Sequence, residues 1–305
     1  EGNSFCELAN AKTSSPEPLE IMSYNKKDWM ILVGLSLAAI LLLIGMHGLA
    51  DGKLHVYFLD IGQGDAVFVK TGSGRQILID GGPDETILRR LGEVMPFYDK
   101  TIDLVVSTHP DADHVAGLVS VLEKYTVDQI LETGMACATS ICRGWKERKD
   151  LEKAEITLAY RGQEVEVGDG ASFLVLHPFE IQKDKVLTKR NNGGIVLKLL
   201  YGSQSVLFTA DIEKQIENKL VVSKIDLDAD FLKVAHHGSK TSTTESFLKA
   251  VSPLAAFIQV GGHNRYGHPT EEVLSRLENF GIKYYRNDTD GTVELVLDGK
   301  NYLIK

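Results

Sequence analysis

Four side chains that can bind metal ions fall within six consecutive residues of this sequence. They are His109, Asp111, Asp113 and His114, and they directly follow the apolar run at 104–107. A loop leaving a strand can direct the first two toward one ion and the last two toward a second ion about 3.5–4 Å away. A solvated turn with Asp113 capping the next helix would need only one of the four. The spacing therefore favours a dinuclear metal site.

Two later strand ends carry the same residue types. Asp211 ends the hydrophobic run at 205–211, and His236 and His237 follow the run at 231–235. Asp211 taken alone is typical of a helix N-cap. Three strand ends that each deliver His or Asp make a shared metal site the better explanation.

Composition excludes several classes of protein. The chain has 305 residues, 43% of them hydrophobic, with 33 Lys and Arg against 42 Asp and Glu, a net charge of −9. These values exclude a mostly disordered, collagen-like or polytopic membrane protein. The acidic balance argues against a protein that grips nucleic acid by bulk charge. The three cysteines are too few for a disulfide scaffold and form no CxxC pattern.

The N-terminal region differs from the rest. Residues 29–50 form an apolar run without Asp, Glu, Lys or Arg, preceded by Lys26 and Lys27. This layout predicts a transmembrane anchor, favoured by its length, or a signal peptide. Both place the remainder outside the cytoplasmic membrane, either as a single-pass membrane protein or, after cleavage, as a secreted one. A buried core helix is disfavoured because the run has no polar face. Residues 1–28 are expected to be a disordered tail.

From residue 54 onward, short β-branched runs alternate with helical stretches. This alternation predicts one mixed α/β (α+β) domain over 54–305, built as a sandwich. Strands are predicted at 54–61, 66–71, 76–82, 102–109, 172–177, 194–201, 205–211, 231–237, 255–260, 282–286 and 292–297. Helices are predicted at 85–94, 114–124, 212–222, 243–251 and 270–280.

Six segments together carry a family resemblance. They are LDIGQGDAVFV at 59–69, ILIDGG at 77–82, STHPDADHVAGL at 107–118, LFTAD at 207–211, LKVAHHGSKTS at 232–242 and NRYGHP at 264–269. With them, residues 54–305 resemble the metallo-β-lactamase-fold hydrolases, most closely the hydrolase domain of ComEC-type DNA-uptake proteins and their stand-alone relatives. The resemblance implies a four-layer αββα sandwich with a dinuclear metal site at one sheet edge.

The resemblance also implies the ligands. His109 and Asp111 would hold the first ion, Asp113 and His114 the second, with Asp211 bridging. His237 would complete the second site beside His236, although which of these two histidines binds is left open. A further ligand of the first ion would be Asn192, which is favoured, His177, which is equally well explained as a packing residue, or water.

Further roles follow for other residues. The catalytic set implied is Asp113, Asp211, His236 and His268, with His268 as general acid or phosphate ligand. Substrate contacts are expected from Asn192, Ser239, Asn264 and Tyr266. The alternative for 264–269 is a loop packed for stability. Relatives usually carry Ser where this chain has Gly194.

Asp111 stands where β-lactamases of this fold carry a second His. A carboxylate there shifts the preference of the two divalent-ion sites from zinc toward manganese, and zinc remains an alternative. Lys189, Arg190, Lys233, Lys240 and Arg265 would form a positive rim, or are ordinary surface charges.

The sequence therefore predicts a metal-dependent phosphodiesterase or nuclease that acts on DNA or another phosphodiester through a metal-activated water. A hydrolase of another ester or amide, such as a lactam, is one alternative. A non-catalytic module that binds DNA or phosphate during DNA uptake is the other. Protein partners are left open. If the domain is exported, a disulfide between Cys137 and Cys142 is expected.

Overall fold

The structure, a computed structural model, describes residues 25–47 and 51–305, with the side chains of 41–47 excluded. The chain divides into two units, Glu1–Leu49 and Ala50–Lys305, and each is treated by itself. The first contains helix α1, Lys26–His47. Among the residues that the structure describes, no helix combines the length and apolar character needed to cross a bilayer. This finding lends no support to the anchor or signal peptide predicted at 29–50, which stays a prediction. Most of the predicted tail lies outside the described residues.

The second unit contains fifteen strands and seven helices. The strands are β1 Leu54–Phe58, β2 Val67–Lys70, β3 Gln76–Ile79, β4 Thr101–Ser107, β5 Thr126–Glu132, β6 Glu155–Leu158, β7 Glu164–Gly168, β8 Ala171–His177, β9 Val196–Tyr201, β10 Gln204–Phe208, β11 Phe231–Lys233, β12 Ala255–Ile258, β13 Lys283–Arg286, β14 Val293–Leu297 and β15 Tyr302–Ile304. The helices are α2 Thr86–Val94, α3 Ala112–Lys124, α4 Ser140–Leu151, α5 Lys214–Val222, α6 Glu245–Val251, α7 Glu271–Asn279 and α8 Asn287–Asp290. Arg190–Gly193 and Ala235–Gly238 form 3₁₀ turns.

The strands form two sheets of similar design. The first has the order β15-β14-β1-β2-β3-β4-β5-β6 and the second β13-β12-β11-β10-β9-β8-β7. In each sheet, one half is antiparallel and the other half, from β3 to β6 or from β10 to β13, is parallel. Parallel neighbours require crossover connections, which supply the helices.

Three apolar clusters define four layers. One lies between the two sheets and includes Phe58, Phe208 and Phe257. A second joins the outer face of the first sheet to helices α2, α3 and α4. The third joins the outer face of the second sheet to α5, α6 and α7. The predicted αββα sandwich is therefore the observed fold of this unit.

The parallel halves bring the chemically active residues to one place. Strands β3, β4, β10 and β11 end just before Asp80, His109, Asp211 and His236 respectively. The carboxyl ends of parallel strands share one edge, which is where open α/β sheets bind ligands. The fold therefore gathers the predicted motifs at a single sheet edge.

Close backbone packing fixes helix α3 at this edge. A Cβ on Gly117 would lie 1.9 Å from the carbonyl oxygen of Gly81, and a Cβ on Gly64 would lie 2.3 Å from that of Asp113. Only glycine permits these approaches, because any side chain would push the helix away from the loops that follow β1 and β3. The start of α3, which carries Asp113 and His114, is thereby held against both loops.

Candidate metal centre

Four predicted ligands form one compact group. The ligand atoms of Asp113, His114, Asp211 and His237 all lie within 4.8 Å of one another. Asp211 Oδ2 is 3.3 Å from His114 Nε2 and 3.4 Å from His237 Nε2, and Asp113 Oδ2 is 3.3 Å from His237 Nε2. Asp211 is thus central to the group, as expected of a shared ligand.

The other two predicted ligands lie beside this group. The ring centres of His109 and His114 are 4.0 Å apart, and His109 Nε2 is 3.9 Å from Asp111 Oδ2. Asp111 occupies the N-cap position of α3, but its side chain makes no capping hydrogen bond. Its carboxylate instead accepts a hydrogen bond from Arg190 Nε at 2.5 Å. The motif is therefore not a simple helix-capping turn.

One carboxylate sets the proton positions on two of the histidines. Asp80, which is buried, accepts hydrogen bonds from His114 Nδ1 at 2.8 Å and from the Thr108 hydroxyl at 2.6 Å. That hydroxyl accepts in turn from His109 Nδ1 at 3.0 Å. Because an ionised carboxylate only accepts, both Nδ1 atoms carry a proton, and in the neutral form of each ring Nε2 presents a lone pair.

His237 has the same arrangement through a different partner. Its Nδ1 donates to the carbonyl oxygen of Gln259 at 2.9 Å, which leaves Nε2 facing Asp113 and Asp211. Its φ of 53° and the φ of 51° at His236 are left-handed values that non-glycine residues rarely adopt. This turn directs consecutive histidines to one centre, and such backbone strain clusters at functional sites.

Unpartnered buried atoms show that the site fits metal ions. His109 Nε2, His114 Nε2 and Asp211 Oδ1 are buried and have no hydrogen-bond partner within the described residues. An orphaned buried polar atom is costly, and coordination by a cation removes that cost. Imidazole and carboxylate ligands suit zinc and manganese alike. The residues present therefore fit the divalent ions that the fold implies.

The charges lead to the same conclusion. Five carboxylates surround the centre, Asp65, Asp80, Asp111, Asp113 and Asp211, and only Lys233 and Arg190 contact them as permanent cations among the described residues. Burial opposes a positive ring at His114, but Asp211, Asp80 and Asp113 outweigh it and hold the pKa of His114 well above its usual value. The centre thus favours added positive charge, which divalent ions would provide.

His236 and His268 lie at the rim of this centre. His236 Nε2 is 3.9 Å from Asp211 Oδ2, and its ring centre is 5.8 Å from that of His268. Both line a cavity of about 150 Å³ together with Tyr266 and Asn191. Burial, with the charges of His236 and His237, lowers the pKa of His268 to about 4. His268 is therefore neutral at pH 7, and the predicted general-acid role requires an anion beside it.

Asn192 does not reach the centre. Its side chain bonds Glu213, accepting from the backbone N–H at 3.0 Å and donating to the carboxylate at 3.4 Å. The neighbouring Asn191 lines the cavity instead, with Nδ2 donating to His236 Nε2 at 3.2 Å. His177 Nε2 donates to the Asn192 carbonyl oxygen at 3.0 Å and is not among the grouped ligands. Asn191 and not Asn192 therefore faces the centre, and the predicted role of Asn192 as ligand or substrate contact stays a prediction without a supporting contact.

Of two other predicted substrate contacts, Asn264 has a structural role and Tyr266 lines the cavity. Asn264 donates to the carbonyl oxygens of Gly261 and His268 and accepts from the backbone N–H groups of Tyr266 and His268. All polar atoms of its side chain are hydrogen-bonded within the loop, so the contacts of Asn264 favour the alternative in which this loop is packed for stability. Tyr266, which is exposed, does line the cavity.

Ser239 contacts His236 indirectly, through Thr241. Its hydroxyl is 3.0 Å from that of Thr241, which is 3.4 Å from His236 Nδ1. Ser239 is buried and is absent from the residues that line the cavity. Ser239 therefore positions His236 rather than substrate.

The predicted positive rim is only partly present. Lys233 is buried, where it donates to Asp65 and, at 3.1 Å, to the Ala210 carbonyl oxygen. Lys189 pairs with Glu213 at 2.7 Å, while Arg190 pairs with Asp111 at the centre. Assigning Lys233 to the rim was wrong, because its charge is used inside the site.

Three contacts at this centre were not predicted from the sequence: Asn191, the Lys233–Asp65 pair and Gln259. The side-chain amide of Gln259 donates to the carbonyl oxygens of Leu59 and Ala66, and the backbone carbonyl oxygen of Gln259 accepts from His237 Nδ1. The role of Gln259 could have been predicted from its position within the apolar run at 255–260, because polar residues are uncommon in buried strands and are usually hydrogen-bonded there.

Cys137 and Cys142 form a disulfide, with their Cα atoms 6.1 Å apart. It joins the loop after β5 to the first turn of α4.

Comparison with known proteins agrees with this architecture. The family model described as the metallo-beta-lactamase superfamily matches residues 59–263. The chain therefore belongs to this superfamily of metal-dependent hydrolases.

Individual relatives confirm the ComEC-type resemblance. The chain is 30% identical over 304 residues to ComE operon protein 3 of Bacillus subtilis (strain 168), covering 90% of this chain and 37% of that protein. It is also 30% identical over 300 residues to Competence protein ComA of Neisseria gonorrhoeae, covering 94% and 40%. The chain thus spans about two-fifths of the length of these relatives.

Among solved structures, the metallo-beta-lactamase fold protein YhfI from Bacillus subtilis is similar with a TM-score of 0.55 and 13% identity. The match covers 79% of this chain and 99% of that one, and it shows the shared fold.

Proposed function

We propose that the chain is a metal-dependent phosphodiesterase that cleaves DNA or another phosphodiester. The observation that carries this proposal is the acidic ligand group, in which Asp111, Asp113 and Asp211 supplement the imidazoles. Oxygen-rich sites prefer the harder divalent ions that catalyse phosphoryl transfer.

The residues that would hold two ions are His109, Asp111, Asp113, His114, Asp211 and His237. When bound, such ions supply Lewis-acid stabilisation of the phosphate oxygens and an acidified water. Asp80 and the Gln259 carbonyl fix the imidazole tautomers, so that each Nε2 lone pair faces the centre.

The cavity wall provides the proton donors. A phosphate anion beside His268 would raise the lowered pKa of that ring, because an adjacent opposite charge favours the protonated form. A protonated ring can then donate to the leaving oxygen. Tyr266, exposed at the rim and stacked on His268 with ring centres 5.8 Å apart, offers a surface for a base or sugar.

The competence names of the relatives favour DNA as the substrate. We further propose that the domain acts outside the cytoplasmic membrane, with 29–50 as anchor or signal peptide. The apolar run at 29–50, which carries no Asp, Glu, Lys or Arg and follows Lys26 and Lys27, supports this location.

A substrate comparison tests the proposed activity. The full chain, loaded with manganese or zinc, would be assayed with bis(p-nitrophenyl) phosphate, single-stranded DNA, p-nitrophenyl acetate and a chromogenic β-lactam. The proposal predicts turnover of the first two, absent in chelator. Turnover of the acetate or lactam alone would indicate the ester or amide alternative. Binding of DNA without any turnover would indicate the non-catalytic module.

A further inference from the structure

A second cavity, of about 330 Å³, lies beside the metal centre. Ser107 and Glu132, which pair across β4 and β5 at the carboxyl ends of these strands, line it together with Pro110. Pro110 stands between the predicted ligands His109 and Asp111. The second cavity therefore opens on the same sheet edge as the metal centre.

The lining of the second cavity is positively charged in a chain whose net charge is −9. Its four basic side chains are Arg143, Lys146, Lys149 and Lys183, against two acidic ones, Glu132 and Asp184. Lys149 donates to Glu132 at 2.5 Å, and both side chains are largely buried, so this pair is neutral.

The three other cations are available to a ligand. Arg143, Lys146 and Lys183 are exposed, and none of them forms a salt bridge within the part of the chain that the structure describes. Arg143 donates one N–H to the carbonyl oxygen of Ala138 at 2.6 Å, which holds its guanidinium at the cavity wall. Unpaired cations in a concave wall attract phosphate groups.

The cavity wall is also fixed in place. The Cys137–Cys142 disulfide lines the second cavity and ties the loop after β5 to α4, the helix that carries Arg143 and Lys146. On the other side, Lys183 lies in a loop held by backbone hydrogen bonds from Asp184 to Gly134 and from Ala136 to Lys185. A wall ordered in advance loses less entropy on binding.

We infer that the second cavity binds the phosphate backbone of a single polynucleotide strand whose scissile bond lies at the metal centre. Arg190, which contacts Asp111, supplies a further cation at the metal centre itself. A cavity of about 330 Å³ admits one backbone unit and not the width of a duplex. The inference rests on the proposed function only for the position of the scissile bond.

Charge reversal tests the inference. Lys146→Glu/Lys183→Glu would be compared with Lys249→Glu/Lys300→Glu, which makes the same charge change at exposed residues of α6 and of the β14–β15 turn. Binding of a fluorescent oligothymidine of about 20 nucleotides to the full chain would be followed by anisotropy in chelator, over roughly 25–200 mM KCl. Equal thermal unfolding midpoints would show that all variants fold.

The inference predicts that the Lys146/Lys183 variant binds about tenfold more weakly and loses about two units of slope in log K against log salt. The control pair should change affinity less than about twofold, because it lies away from the strand. Equal losses in both double variants, or none in either, would overturn the inference, as would a trimer that binds as tightly as the longer strand.

Hydrolysis separates this inference from the proposed function. If the metal-loaded chain fails to cleave bis(p-nitrophenyl) phosphate while the binding loss is found, the phosphodiesterase proposal fails and the strand-binding surface stands. If cleavage occurs without the binding loss, the phosphodiesterase proposal stands and the strand-binding surface fails. If both the proposed function and the inference are correct, the ratio of kcat/KM for the oligonucleotide to kcat/KM for the small diester should fall about tenfold in Lys146→Glu/Lys183→Glu.

Discussion

Lys233 and Asp65 form a buried ion pair directly behind the metal centre. The Lys233 ammonium also lies 3.8 Å from Asp211 Oδ1, and both partners are at most 3% exposed. Burial raises the pKa of Asp65, but Lys233 and His237 outweigh burial and hold that pKa below its usual value. The pair therefore keeps Asp65 ionised and adds a fixed positive charge behind Asp211.

Removing the ammonium should destabilise the protein strongly. Lys233→Met leaves Asp65 buried without its main partner, and breaking such a pair costs about 3–5 kcal/mol. Urea unfolding would measure the loss. Lys198→Met is the matched control: Lys198 is also buried, but its partner Asp226 is 77% exposed, so its ion pair contributes about 1 kcal/mol or less. Similar losses in the two variants would contradict the role assigned to Lys233.

Asp80 should control metal affinity without touching an ion. Asp80 Oδ2 accepts from His114 Nδ1 and from the Thr108 hydroxyl, and Oδ1 accepts from the Thr108 backbone N–H at 2.8 Å. In Asp80→Asn, one of these two oxygens becomes an NH2 group that faces a donor, so the contacts that fix the tautomers of His114 and His109 are weakened. We expect affinity for zinc or manganese to fall about 10–100-fold, measured by competition with a chromophoric chelator. Asp60→Asn, which disturbs a carboxylate paired with Arg90, should change it little. Wild-type affinity in Asp80→Asn would refute this account.

Two glycine-to-alanine variants should act in opposite directions. Gly117→Ala places a Cβ 1.9 Å from the Gly81 carbonyl oxygen and should cost at least about 1–3 kcal/mol by overpacking. Gly92→Ala, in α2 with nothing within 4 Å of the added Cβ, should gain about 0.5–1 kcal/mol through helix propensity. Chemical unfolding would measure the free energy of unfolding of both variants. An unchanged free energy in Gly117→Ala would show that α3 is not held against the loops as described.

His177 should make stability depend on pH. Burial lowers its pKa from 6.5 to about 4, with Lys219 adding to the shift and the hydrogen bond to Asn192 opposing it. Because folding lowers this pKa, the contribution is complete above pH 6.5 and is lost as pH falls toward 4. It amounts to about 2–3 kcal/mol.

Urea unfolding at pH 7 and pH 4.5, in chelator, would measure this contribution. His177→Gln keeps a donor for the Asn192 carbonyl and removes the titration, so it should lose about 2–3 kcal/mol less than the wild type between these pH values. Equal pH dependence in the two proteins would exclude His177 as the titrating group.

The sequence alone was sufficient to predict which residue types form the ligand group and that they meet at one sheet edge. His109, Asp211 and His237 follow strand ends, and parallel strands bring their carboxyl ends together whatever the details of packing. Strands β5, β6, β7 and β15 and helix α4 were not predicted. For β6 and β7 the reason is that their sequences, EITL and EVEVG, are polar and largely unburied. Pairing with β5 and β8, and not local preference, makes these segments strands.

The remaining errors depend on tertiary structure. Lys233 resembles a surface lysine until Asp65, 168 residues away, is brought beside it. Asn191 and Asn192 are identical neighbours, and the rotation of one 3₁₀ turn decides which of them faces the centre. A local pattern cannot specify either outcome.

Metal stoichiometry measured together with hydrolysis tests the central claim most directly. The full chain, Asp211→Asn and the control Asp228→Asn, at an exposed residue, would be loaded with manganese or zinc, analysed for bound metal and assayed with bis(p-nitrophenyl) phosphate. We predict two tightly bound ions and metal-dependent turnover in the wild type and in Asp228→Asn. Asp211→Asn should lose bound metal and at least about 100-fold in kcat/KM. Undiminished turnover in Asp211→Asn, or turnover in the wild type without bound metal, would contradict the account.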